Sequence, residues 1–281
     1  MSLYRADPKH GVAWVTGGGT GIGRALALNL AAKGFVVAVT GRLEDPVDAV
    51  IAAAAGLPGR ILSFPCDVTD EAGMARTAAE IEERAGPVML AVFNAGILLP
   101  AYGEDLDPAS FRKSYEVNVF GVLNGLVPAV RRMHSRNRGH VVFVGSITSY
   151  FGLPTIAAYG ATKAALNNMA ESLRYDFAKM NIRIQVINPG FVATPLLADN
   201  EFRLPALMPA EQAARRMLDA ILSGGFEVTF PRRLTWIVKL LRCMPRGAVF
   251  SLVNSASRWK GRPLGIGKRH RDEPADGPED N

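Results

Sequence analysis

Three groups of residues in this sequence have types and spacing that suit chemistry. The first is Gly17-Gly18-Gly19-Thr20-Gly21-Ile22-Gly23, which follows the apolar run VAWVT and leads into RALALNLAAKG. A strand, a tight glycine turn and a helix N-terminus together make an anion site. Backbone N–H groups converge there, the helix dipole favours negative charge, and missing side chains let a pyrophosphate approach. The second group is Tyr159 and Lys163, four apart where a helical pattern begins, so both side chains share one face. A free tyrosine titrates at about 10, and a lysine cation held close favours the phenolate. Such a lowering would make Tyr159 a general acid or base near neutral pH. The third group is Thr40-Gly41-Arg42, some 18 residues past Gly23. A site selective for NAD would place Asp or Glu here to accept from the ribose 2′-hydroxyl. Gly41 leaves that position empty and Arg42 supplies a guanidinium that matches a 2′-phosphate in charge and geometry. NADP(H) is therefore the expected cofactor, with NAD(H) as the alternative.

The elements that must position these residues follow from periodicity. Strand-like runs lie near 12–16, 36–40, 61–65, 88–93, 140–145, 183–187 and 227–230. Helical patterns lie near 21–33, 47–55, 70–84, 108–136, 159–180 and 209–223. The runs VVAVT, VMLAVF and HVVFV are apolar almost throughout, as a strand covered on both faces requires. The alternation predicts an α/β fold: a Rossmann-type doubly wound parallel sheet of about seven strands with helices on both faces. Thr69 precedes an acidic first turn at Asp70 and Glu71, and Asp107 with Pro108 offers a cap and a first-turn proline. Pro128 is expected to bend the helix that contains it.

With these motifs in order, the sequence resembles the short-chain dehydrogenase/reductase family over about residues 10 to 230. The TGxxxGxG turn is Thr16 to Gly23, with Gly17, Gly19, Thr20, Gly21, Ile22 and Gly23 at the cofactor. The resemblance places Asp67 and Val68 at the adenine, and Asn94-Ala95-Gly96 as the NAG motif, with Asn94 and Gly96 bordering the cofactor. It implies catalytic roles for Asn118 (in VNVFG), Ser146, and Tyr159 and Lys163 of the YxxxK motif. It also implies that Pro189-Gly190, Val192 and Thr194 hold the nicotinamide end, and that Tyr159 and Lys163 themselves meet the cofactor. On this reading Tyr159 exchanges the proton and Lys163 bonds the nicotinamide ribose. Ser146 bonds the substrate oxygen, and Asn118 holds a water that links Lys163 to solvent. The implied activity is an NAD(P)-dependent interconversion of a carbonyl and an alcohol. The competing reading is a catalytically silent NADP-binding regulatory protein.

Specificity in such folds sits in loops after the later strands. Here these are Phe151-Gly152-Leu153-Pro154 and the stretch 191–208, with Phe191, Leu196, Leu197, Phe202, Leu204, Leu207 and Met208. A mostly apolar lid points to a small apolar carbonyl or alcohol substrate. Arg203 is the one candidate for binding an anionic substrate group.

Charge divides the chain unevenly. The net +6 arises beyond residue 230: residues 1–230 hold 21 Lys or Arg and 21 Asp or Glu, and residues 231–271 add 11 bases and no acid. Five acids follow in 272–281. The expected organisation is a catalytic domain over 1–230, a basic amphipathic extension over 231–265 and a disordered tail over 266–281. In the extension, Leu234, Ile237, Val238 and Leu241 are expected on one helical face, with Lys239 and Arg242 away from it. That helix suits a membrane interface as well as docking on its own domain or across a dimer. A nucleic-acid role lacks a reader motif and a basic body. Cys66 and Cys243 are far apart and the four histidines are scattered, so neither a disulfide nor a metal site is expected. No secretory pattern opens the chain, and no apolar run is long enough to span a bilayer. A cytoplasmic location, peripheral at a membrane surface if the extension binds one, is expected. The resemblance also implies a homodimer or homotetramer built on the helices near 108–136 and 159–180.

Overall fold

A computed structural model describes residues 3–42, 46–198 and 206–263. Seven parallel strands form one sheet in the order β3-β2-β1-β4-β5-β6-β9. They are β1 (Val12–Thr16), β2 (Val36–Thr40), β3 (Arg60–Ser63), β4 (Val88–Phe93), β5 (Gly139–Val144), β6 (Ile182–Pro189) and β9 (Glu227–Phe230). The remaining strands, β7 (Val192–Ala193) and β8 (Met208–Pro209), make a small ribbon beside the sheet. This is the doubly wound, Rossmann-type architecture that the continuous apolar runs require. The order reverses between β1 and β4, so a crevice opens at the carboxyl ends of those two strands.

Each central strand divides its side chains between two cores. Along β1, Ala13 and Val15 join the core formed with α1 (Gly21–Ala32) and α7 (Ala210–Ser223). Val12 and Trp14 join the opposite core with α3 (Glu71–Arg84), α5 (Gly121–Ser135) and α6 (Ala157–Lys179). Trp14 is fully buried; its indole N–H donates to Thr40 Oγ1 at 2.8 Å, and its ring meets Phe93 edge-on at 6.0 Å. One polar pair spans this interior: His140 Nε2 and Gln185 Oε1 are 2.7 Å apart. The Gln185 amide nitrogen donates to the carbonyls of Ala220, Gly224 and Gly225, so its oxygen faces the ring and Nε2 must carry the proton. Burial holds this imidazole neutral, with its pKa lowered to about 3.

One helix start is corrected, and one helix carries an internal irregularity. The first helix turn after Thr69 is capped by Asp70, whose carboxylate accepts from Gly73 N at 2.8 Å. Thr69 instead turns back to Asp67. The helix expected over 108–136 runs without a break from Pro108 to Ser135, as α4 (Pro108–Tyr115), a π-helical turn (Glu116–Phe120) and α5. Asp107 caps α4 as expected, accepting from Ala109 N and Ser110 N. The irregularity thus falls at 116–120, ahead of Pro128, which lies inside α5. The wider turn carries Asn118 inward and brings Gly121 so near Val68 that an added Cβ would lie 2.7 Å from its Cγ2.

Beyond β9 come α8 (Arg232–Arg242) and α9 (Arg246–Ser257). Val238 and Thr235 are buried, and Leu234 reaches Gly190, where an added Cβ would meet Leu234 Cδ2 at 3.2 Å. Ile237 does not share this face; it is exposed with Trp236 and Leu240. The docked edge is 234, 235, 238 and 241, one step round the helix from the face expected, because Thr235 is taken inward in place of Ile237. The tail expected over 266–281 lies outside the described residues.

Candidate active site

The glycine turn joins β1 to α1 at the crevice. Gly17 has φ +64, which glycine adopts without strain, and a Cβ there would lie 2.8 Å from Ala95 Cα. A Cβ on Gly23 would lie 2.1 Å from Gly17 O and 2.5 Å from Asn94 Nδ2. Asn94 holds the turn from below: its amide donates to Thr16 O at 3.1 Å and Gly17 O at 3.0 Å. Thr16 Oγ1 accepts from Asn94 N and Ala95 N in return. Thr20, the N-cap of α1, makes no capping bond with its side chain, so the helix N-terminus is not closed by its own cap.

Above the turn lies a cleft of about 600 Å³. Its walls bring together Gly17, Thr20, Gly21 and Ile22 of the turn, Arg42 after β2, and Asp67 and Val68 after β3. Asn94 and Gly96 after β4 and Thr194 after β7 complete the expected set found there. Gly19 and Gly23 are buried within the turn and helix start, outside the lining. Pro189 is a buried residue of β6 paired with β9, and Val192 is buried in the core against α7; neither lines the cleft. Lys113, Glu116 and Cys66 also line it and were not picked out from sequence. Lys113 and Glu116, three apart across the junction of α4 with the π turn, share a face as i, i+3 neighbours do. Of the expected lid, 199–205, which includes Phe202, Arg203 and Leu204, lies outside the described residues. Leu196 and Leu207 are exposed at its ends, whereas Met208 is buried. A dinucleotide fits this cleft on three grounds: the bare glycine wall, the uncapped helix N-terminus, and a guanidinium with no carboxylate at Gly41.

Tyr159 and Lys163 lie on the first turns of α6, both nearly fully buried. A Cβ added to Gly96 on the cleft wall would come within 3.5 Å of Lys163 Nζ, so the ammonium sits directly behind that wall. It donates to Val144 O at 2.8 Å and lies 5.6 Å from the centre of the Tyr159 ring. The expected lowering of Tyr159 by Lys163 is not what the site shows. Burial pushes the phenol up to about 12, opposed by a hydrogen bond with the Ser146 side chain. Burial also brings Lys163 down to about 8. Desolvation is the leading cause for both groups.

Ser146 caps the short 3-10 turn Ile147–Ser149, accepting from Thr148 N at 3.2 Å. Asn118 is fully buried and committed to protein partners: it accepts from Ile97 N at 2.8 Å and donates to Ile97 O at 2.9 Å and Thr162 Oγ1 at 3.1 Å. Its side chain therefore fixes the segment after β4 to α6. Both amide hydrogens are used in this way, while Oδ1 accepts one bond here and keeps a second lone pair.

Known proteins agree with this geometry. The profile of the short chain dehydrogenase family matches residues 11–203. An uncharacterized oxidoreductase of Myxococcus xanthus is 33% identical over 240 residues, covering 85% of this chain and 95% of its own. The NADP-dependent (R)-specific alcohol dehydrogenase of Lentilactobacillus kefiri is 36% identical over 196 residues, covering 69% of this chain and 77% of its own. Among solved structures, a short chain dehydrogenase from Burkholderia cenocepacia in complex with NADP superposes with a TM-score of 0.74 at 26% identity, covering 87% of this chain and 97% of its own. A 3-ketoacyl-ACP reductase from Sinorhizobium meliloti superposes with a TM-score of 0.70 at 29% identity, covering 78% and 96%. The chain belongs to the short chain dehydrogenase family of oxidoreductases.

Proposed function

We propose that this protein is an NADP(H)-dependent oxidoreductase that interconverts a carbonyl and an alcohol on a fairly apolar small molecule. The observation that carries the reading is the placement of Lys163 directly behind Gly96 on the cleft wall, with its ammonium 5.6 Å from the centre of the Tyr159 ring. The bound nicotinamide would supply or accept the hydride. Tyr159 holds the proton at its phenolic oxygen: with the pKa pushed up to about 12 it is neutral at physiological pH, the form needed to protonate a developing alkoxide. Ser146 orients the substrate oxygen and stabilises charge on it. Lys163 holds the ribose and places positive charge near the reacting centre, and Asn118 positions α6 through Thr162.

Gly17, Thr20, Gly21 and Ile22 would cradle the pyrophosphate, with Gly19 and Gly23 allowing the turn. Asp67 and Val68 border the adenine; Asn94, Gly96 and Thr194 line the path to the nicotinamide, supported from beneath by Pro189 and Val192. Arg42 on the cleft wall favours the 2′-phosphate, and the alcohol dehydrogenase relative named NADP-dependent supports that preference. The apolar lid residues Leu196 and Leu207, both exposed, support an apolar substrate. Exposed Phe120 and Val127, on the π turn and α5, with Tyr175 on α6, support self-association through those helices. The free cysteines Cys66 and Cys243 suit a reducing, cytoplasmic setting.

The test follows NADPH absorbance across aldehydes and ketones of increasing apolar size, and NADP⁺ with the matching alcohols. Turnover that rises with apolar size supports the proposal. NADPH binding with no turnover in either direction would favour the silent regulatory reading.

A further inference from the structure

Residues 231–263 carry eight Lys or Arg and no Asp or Glu. The same segment holds five of the eleven exposed large hydrophobic side chains among the described residues: Trp236, Ile237, Leu240, Phe250 and Leu252. In α8 the inward edge is used by Leu234, Thr235 and Val238, so the exposed residues occupy the opposite arc. Arg233, Trp236, Ile237 and Leu240 fall on that arc at intervals of three, four and seven. Trp236 is 72% exposed. In α9 no residue is buried, but Arg246 and Phe250 line a groove with Phe151, Asn167 and Glu171 that none of the α8 arc residues lines. Lys239, at the border of the α8 arc, also pairs with Glu227 at 3.7 Å and so ties the helix to β9.

An exposed arc of Trp, Ile and Leu with arginine inside it is disfavoured facing water alone. A second copy of this chain would bring the same acid-free, cationic segment opposite itself, and like charges across an interface oppose docking. An anionic surface answers both features, since cations meet phosphate headgroups while tryptophan and leucine enter the acyl boundary. None of the described helices is long and apolar enough to cross a membrane, so the segment would lie on the surface and not span it. We propose that the outer face of α8 docks the protein on anionic phospholipid. Arg233 would meet headgroups while Trp236, Ile237 and Leu240 enter the interface. This surface is separate from the cleft and does not depend on the reaction proposed for it.

The test is sedimentation of the full chain with vesicles of phosphatidylcholine containing phosphatidylserine, and with vesicles of phosphatidylcholine alone, at low and high salt. The protein is expected to pellet with the anionic vesicles and to be released by salt. Arg233→Gln should weaken binding roughly fivefold. Trp236→Ser with Leu240→Ser should abolish it while NADPH binding and the unfolding midpoint stay at wild-type values. Three results would overturn the proposal: wild type staying in the supernatant with both lipids, equal binding to uncharged vesicles, or undiminished binding by the arginine variant. Self-association that disappears in the Trp236/Leu240 variant, without vesicle binding, would assign the face to a second copy and equally overturn it.

Discussion

Replacing Gly23 with alanine sets two opposing effects against each other, and the structure decides the sign. Gly23 is the third residue of α1, where alanine's better helix propensity alone would stabilise by up to about 1 kcal/mol. Against this, the new Cβ would lie 2.1 Å from Gly17 O and 2.5 Å from Asn94 Nδ2. Neither is the free end of a flexible side chain: one is backbone, and the other is an amide held by two hydrogen bonds. Forcing such groups apart costs about 1–3 kcal/mol, and losing the bond between Asn94 and Gly17 O costs about 1 kcal/mol more. The net expectation is a loss of about 1–3 kcal/mol together with weaker NADPH binding, because the displaced carbonyl belongs to the phosphate turn. Urea unfolding, read alongside fluorescence titration with NADPH, measures both. Gly160→Ala is the control: its Cβ would meet only Thr148 O at 3.5 Å, so helix propensity should prevail and stability should hold or rise. A Gly23→Ala protein as stable as wild type, binding NADPH as tightly, would refute the packing argument.

Three further predictions follow from charge. Arg42→Ala should weaken NADPH binding by roughly 10- to 100-fold, the worth of one charge-assisted hydrogen bond, and leave NADH almost unchanged; equal losses for both would remove Arg42 from the 2′-phosphate. Lys163, lowered to about 8 by burial, binds fewer protons folded than unfolded between about 8 and its ordinary value of 10.5. Stability should therefore rise with pH across that window, by at most about 3 kcal/mol, relative to Lys163→Met; parallel pH profiles for the two proteins would contradict this. His140, lowered to about 3, is neutral when folded but takes up a proton when unfolded below about 6.5. Stability should fall on acidification from 6.5 towards 3, by at most about 5 kcal/mol, with a shallower slope in His140→Asn; an unchanged slope would place the acid sensitivity elsewhere.

The sheet and the glycine turn were legible in the sequence because each rests on local regularities. Strands covered on both faces need unbroken apolar runs, and Gly17 to Gly23 sit where a strand meets a helix. The cleft also gathers Arg42, Asp67, Val68, Asn94, Gly96 and Thr194, as motif order led us to expect. What escaped the sequence depends on tertiary packing. The π turn at 116–120 is set by how Asn118 reaches Ile97 and Thr162, and by the close seat of Gly121 on Val68. Helical spacing alone cannot show the π turn; Lys113 and Glu116, three apart, share a helix face, but no motif singled them out. In α8, periodicity grouped Ile237 with Val238, but the surface near Gly190 takes Leu234 and Thr235 and leaves Ile237 outside. The Tyr159 pKa was misjudged because residue spacing shows a charged neighbour but not the depth of burial.

The central claim is that Tyr159 holds the transferred proton in NADPH-dependent carbonyl reduction. The most direct measurement compares wild type with Tyr159→Phe on the best ketone found, with NADPH affinity measured for both. The account predicts a fall in kcat of at least about 100-fold, the usual worth of a general acid, with NADPH binding within a few-fold of wild type. Turnover by the phenylalanine variant at a rate close to wild type would contradict it.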